Sequence, residues 1–121
     1  MINRTVSVLY LIFIALTSIP LFGCAVIIWC LTKPFDIRLI ALHQFTSIWA
    51  TLYIWTMPAW SVKTSGRERI KKNTTYMVVS NHQSQLDILV AFSLFFHFKW
   101  VSKAEIFKVP LIGWNMVLNQ Y

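Results

Sequence analysis

Charge is what this sequence most lacks. Of its 121 residues only 12% are Asp, Glu, Lys or Arg, against about 25% in an ordinary soluble domain. Acids are scarcest: four, against eleven Lys and Arg, for a net charge of +7 at pH 7. With 57% hydrophobic residues and a mean hydropathy of +0.60, this shortage points to a membrane-associated protein. Cysteine is scarce as well. Cys24 and Cys30 share one apolar stretch, and at that spacing on a helix their side chains face different directions. They read as small apolar residues of a lipid-facing helix, not as a disulfide or a metal site, and they leave the redox compartment unread. The same stretch has no charged residue between Tyr10 and Leu31. That argues against a proton or ion pathway through it.

What is present is a long apolar run over residues 6–31. It exceeds the roughly 20 residues needed to cross a bilayer and the roughly 7 to 15 of a signal-peptide core. Pro20 and Gly23 near its middle can kink a spanning helix or mark the bend of a segment that enters and leaves one side. A polar break at residues 33–38 separates it from a second segment, residues 39–60. There Gln44, Ser47 and Thr51 form a polar stripe with His43 beside it, while Phe45, Trp49 and Tyr53 recur on another face, followed by Trp55 and Trp60. Such a helix suits the headgroup boundary. The expectation for residues 1–60 is a membrane-anchoring helical hairpin with one deep arm and one interfacial arm. His43 reads as an interfacial histidine bonded to water or a headgroup, outside any site.

Five basic residues then gather between Lys63 and Lys72 (with Arg67, Arg69 and Lys71) beside one acid, Glu68. They suit an anionic leaflet, at about 1 kcal/mol per basic side chain. Without interleaved stacking aromatics or a nucleic-acid fold signature, they do not suggest nucleic acid. Beyond them the period changes. Residues 60–64, 75–80 and 99–102 read as strands, residues 84–96 as an apolar helix, and residues 104–108 and 111–119 as helical, with Pro110 between. Strand, helix, strand predicts an α/β domain with a crossover. The fold class expected is therefore α/β: the hairpin, then the start of an α/β domain over residues 61–121. That span is small for a domain with its own core, and its last helix runs to Tyr121 without a stop signal, so the domain is expected to be incomplete.

The chemistry centres on Asn81-His82-Gln83-Ser84-Gln85-Leu86-Asp87. A strand ending at Ser80 delivers His82 to its C-terminal edge, where α/β sheets bind ligands. On one continuous helix, positions 82 and 87 would diverge by about 140°. They meet only if His82 precedes the helix and Asp87 sits in its first turn, which Ser84 as N-cap provides. A carboxylate there can accept the Nδ1 proton of the histidine and leave Nε2 as base, the base-and-orienter half of a hydrolase triad. The plainer alternative is a Ser-x-x-Asp helix start in which Asp87 only caps.

Residues 79–89, Val-Ser-Asn-His-Gln-Ser-Gln-Leu-Asp-Ile-Leu, closely resemble the first signature block of the 1-acylglycerol-3-phosphate acyltransferase family. Residues 100–114 resemble the segment that follows it, and Lys33-Pro34-Phe35-Asp36 is similar to the family's N-terminal pattern. The resemblance implies acyl transfer from acyl-CoA or acyl-carrier protein to the free hydroxyl of lysophosphatidic acid, giving phosphatidic acid. His82 would be the general base and Asp87 its orienter, with no acyl-enzyme, no cofactor and no metal. Lys103 matches a family lysine near the acceptor phosphate; its plain alternative is a solvated charge. The implied partners are membrane lipid, lysophosphatidic acid and the acyl donor, with the catalytic part facing the cytoplasm (at the inner membrane if bacterial). The family's later arginine-bearing and Glu-Gly-Thr-Arg type blocks do not appear before Tyr121. Little or no activity is therefore expected of these 121 residues alone. The rival reading is a non-catalytic membrane-anchored fragment or lipid-binding protein, and other lysolipid acceptors stay open.

Overall fold

The computed structural model describes residues 4–71, 74, 76–81, 84, 86–101 and 103–121. Two helices form the expected hairpin: α1, Arg4–Thr32, and α2, Ile40–Thr56. Helix α1 carries Pro20 yet continues through it. By length and composition it is long and apolar enough to cross a membrane. At 1.5 Å per residue it measures about 43 Å, beyond the roughly 30 Å of a hydrocarbon core.

Turn chemistry explains the reversal. Thr32 C=O accepts from the amides of Phe35 and Asp36, and Leu39 adopts a left-handed conformation (φ 56°) just before α2. Asp36 Oδ2 then accepts from Ala41 N–H at 2.8 Å, capping a helix whose own N-cap, Leu39, has no side-chain acceptor. Burial disfavours the Asp36 charge, but hydrogen bonds from the Ala41 and Ile40 amides outweigh it and hold its pKa below the usual carboxylate value.

The two arms are fastened by hydroxyls as well as apolar contact. Tyr53 Oη donates to Ile14 C=O at 3.2 Å and lies 3.0 Å from Thr17 Oγ1 and 2.9 Å from Ser18 Oγ. Tyr10 Oη donates to Tyr53 C=O. Around the turn, Ala25, Leu39 and Leu42 form the apolar core, with Leu118 packed on it from the far end of the chain.

The second half is short helices laid along the hairpin. Helix α3, Leu86–Phe92, packs on α2, and α4, Ile112–Leu118, packs on α1. Single 3₁₀ turns occupy Arg67–Arg69 and Ala104–Lys108. Gly113 is where α4 meets the second turn: a Cβ there would stand 2.5 Å from the carbonyl oxygens of Ile106 and Phe107.

Expectation and structure differ at three points. Among the described residues there is no strand, so the structure is helical rather than α/β. Residues 60–64, 76–80 and 99–101 run without a ladder, and Met77 and Val79 are 93% and 86% exposed. A strand, unlike a helix, takes its hydrogen bonds from a neighbour, and β-branched content cannot replace that neighbour. Nor does the polar stripe of α2 face outward: Ser47 and Thr51 are buried, as is His43. The helix expected over 84–96 also stops early, in a turn where Phe95 takes φ 54°.

Candidate active site

The start of α3 is built by a reciprocal pair of hydrogen bonds. Ser84 N–H donates to Asp87 Oδ2 at 2.8 Å, Leu86 N–H donates to Ser84 Oγ at 3.2 Å, and Asp87 N–H donates to Ser84 C=O at 3.1 Å. This is the capping box that Ser-x-x-Asp spells. It holds the Asp87 carboxylate against the backbone of Ser84. Capping does not exclude orienting, because a carboxylate accepts on both oxygens. His82 itself lies outside the described residues. Lys103 is exposed, extended (φ −64°, ψ 140°) and leads into the 3₁₀ turn at Ala104.

Beside the capping box lies an open, mostly apolar groove of about 240 Å³. Ile54, Trp60 and Val62 line it from the hairpin side and Leu86 and Val90 from α3. Leu86 lines the groove and immediately precedes Asp87 in α3; Asp87 itself is not part of the groove wall. Among the described residues, no group of three or more His, Cys, Asp and Glu is placed to hold a metal ion.

The opposite end of α3 is enclosed. Phe92 is buried, with its ring centroid 5.6 Å from that of His43, 5.7 Å from Phe98 and 5.8 Å from Trp100. His43, fully buried, donates from Nε2 to Phe96 C=O at 3.0 Å, so its Nδ1 accepts from Tyr121 Oη at 2.6 Å. Burial foremost, then the nearby His97 and Lys99 charges, lowers the His43 pKa to about 4, and burial raises that of Tyr121. Both groups are therefore neutral near pH 7. His97 is likewise lowered, by burial and by Lys99, while its Nε2 donates to Arg38 C=O at 2.9 Å.

Sequence reasoning passed over His43 for a specific reason. Its neighbours look water-seeking, but Thr46, Ser47 and Thr51 donate to carbonyls one turn back, of Leu42, His43 and Ser47. A hydroxyl satisfied within its own helix can be buried. Thr46 Oγ1 also accepts from Asn115 Nδ2 at 3.0 Å and Asn119 Nδ2 at 3.1 Å. The signal was two asparagines four apart, one in the last helix and one capping its end, able to meet a threonine on α2.

With this geometry in hand, comparison with known proteins is decisive on one point. The acyltransferase family model matches residues 61–121. The chain belongs to the acyltransferase family. Asp87, its capping box and Lys103 all fall inside the matched region. The chain is similar to a 1-acyl-sn-glycerol-3-phosphate acyltransferase of Chlamydomonas reinhardtii, 39% identical over 106 residues, covering 86% of this chain and 31% of that protein. It is also similar to chloroplastic proteins of the same name from Arabidopsis thaliana (41% over 75 residues, 61% of this chain and 20% of that protein) and Brassica napus (40% over 75 residues, 61% and 21%). The chain thus spans about a fifth to a third of the length of the curated relatives it matches. No solved structure matches it.

Proposed function

We propose that this chain is the N-terminal part of a membrane-bound glycerolipid acyltransferase. Its reaction is acyl transfer from acyl-CoA or acyl-carrier protein to the 2-hydroxyl of lysophosphatidic acid, giving phosphatidic acid. The observation that carries the reading is the Ser84–Asp87 capping box inside the matched acyltransferase region, which fixes a carboxylate immediately after the His82 segment. The names of the relatives support the acceptor.

In the proposed mechanism His82 Nε2 takes the proton of the lysolipid hydroxyl as its oxygen attacks the thioester carbonyl. Asp87 accepts the His82 Nδ1 proton in a hydrogen bond, setting the tautomer and stabilising the imidazolium. The tetrahedral intermediate collapses to the ester, and the departing thiolate takes the proton from His82. No enzyme acyl ester forms, Ser84 is a cap and not a nucleophile, and no cofactor takes part. Lys103 supplies a point charge for the acceptor phosphate. The groove along Leu86 and Val90 suits an acyl chain of donor or acceptor.

Residues 60–64, 75–80 and 99–102 are proposed to form strands in the longer α/β domain of the whole protein, with residues 1–60 as anchor and 61–121 as the opening of that domain. The hairpin is proposed to enter and leave the membrane on the same, cytoplasmic, side. The chain after α3 packs at the hairpin turn, where His97 Nε2 donates to Arg38 C=O at 2.9 Å and Gln44 Nε2 to Phe95 C=O at 3.2 Å, which argues against a full crossing by both arms. A turn on the far side of the bilayer could not be met by a segment that stays with the donor.

The test is phosphatidic acid formation by the full-length protein from labelled lysophosphatidic acid with each donor. Replacing His82 with Ala is expected to lower the rate by about 10²–10⁴-fold, the usual contribution of a general base. A His82→Ala protein that is folded and fully active would rule the reading out. His43→Ala is not a neutral control, because it empties a buried, twice-bonded position.

A further inference from the structure

Helix α3 has seven residues, Asp87 in its first turn and Phe92 at its end. At about 10 Å it is too short to be stable alone, so packing must set its direction. That packing is concentrated at the Phe92 end. The ring of Phe92 sits among His43, Phe98, Trp100 and Tyr121. The turn that leaves the helix is bolted to α2 by two consecutive side chains: Gln44 Nε2 donates to Phe95 C=O and His43 Nε2 to Phe96 C=O. His43 is itself held, since Nδ1 accepts from Tyr121 Oη at 2.6 Å. An apolar side chain would fill the same space without needing two buried partners. What the imidazole adds is direction, a fixed donor aimed at one carbonyl.

We propose that His43 is a positioning residue for acyl transfer: through the Phe96 carbonyl and Tyr121 it fixes the C-terminal end of α3, and so the placement of Asp87 at the other end. This rests on the reading of Asp87 as the orienter of the base. The membrane hairpin then does more than anchor; its second helix sets the geometry of the carboxylate. A lever this short passes a shift at Phe92 on to Asp87 with little loss, and a 1 Å misplacement of a reacting group can cost about 10²-fold.

The experiment is a double-mutant cycle in the full-length protein, with kcat and KM measured per mole of folded enzyme. His43→Ala, His43→Gln and Tyr121→Phe are each combined with Asp87 and with Asp87→Asn. Positioning predicts that His43→Ala lowers kcat about tenfold or more while KM for lysophosphatidic acid stays within about twofold. His43→Gln, whose Nε2 can donate to the same carbonyl, recovers most of the loss. In the Asp87→Asn background the effect of His43→Ala shrinks to about twofold or less, because the carboxylate it acts through is gone. Equal fold-losses in both backgrounds, or a loss that disappears per mole of folded protein, would overturn the proposal. If His43→Ala does not fold, Tyr121→Phe carries the same cycle with a loss of about two- to fivefold, judged by the same criterion. Full activity in Asp87→Asn alone would instead sink the orienter reading, and the positioning role with it.

Discussion

The inward face of α2 is polar yet buried; residues 76–80 are apolar yet exposed. His43, Thr46, Ser47 and Thr51 lie inside, whereas Met77 and Val79 stand 93% and 86% in the open. The contrast comes from where each backbone and side chain finds its hydrogen bonds. Helix α2 satisfies its own amides, its hydroxyls bond one turn back, and Asn115, Asn119, Phe96 and Tyr121 supply the remaining partners. Residues 76–80 have no second strand among the described residues, so nothing there satisfies a ladder. Burial follows satisfied polar groups as closely as it follows hydropathy.

If that contrast is sound, the largest effect should come from the buried end of α3. Phe92→Ala removes the ring shared by four aromatic neighbours and should cost about 3–5 kcal/mol, read as a lowered midpoint in denaturant unfolding in detergent. Next comes Gly113→Ala, whose Cβ would collide with two backbone carbonyls at 2.5 Å. Overpacking of this kind costs about 1–3 kcal/mol, visible as a drop in Tm.

Acid should probe the same buried face. The His43 pKa is lowered in the folded state from 6.5 to about 4, so the unfolded chain binds this proton first. Stability contributed by neutral His43 is complete above pH 6.5, falls as pH drops below that value, and levels off below about 4. His97 is shifted in the same direction and adds to the trend. Unfolding midpoints measured from pH 7.5 to 4 should show the decline, and His43→Gln should flatten it. Smallest of all should be Met77→Ser and Val79→Ser: in this 121-residue chain each should change stability by no more than about 0.5 kcal/mol. In a whole protein that pairs the segment, the same substitutions should cost several times more, which sharpens the contrast from the other side.

Much of this was legible in the residues. Low charge and the two apolar runs gave the hairpin, and Ser84-x-x-Asp87 gave the cap at the start of α3. The capping box was readable because helix-start chemistry is local: all its partners lie within four residues. The expected strands do not form among the described residues because a strand depends on partners that local sequence does not contain. His43 was misplaced for a related reason. Its bonds run to Phe96 and Tyr121, 53 and 78 positions away, and no periodicity on α2 reveals such partners. The polar stripe that suggested headgroups was instead the docking face for the acyltransferase region.

The central claim is that His82 and Asp87 act as one base-and-orienter unit. It is tested most directly by rates of phosphatidic acid formation in the full-length protein carrying His82→Ala, Asp87→Asn, or both. Because members of such a unit are strongly non-additive, the double variant should be no slower than His82→Ala alone. Losses that multiply, or an Asp87→Asn enzyme as fast as the unmodified one, would contradict it.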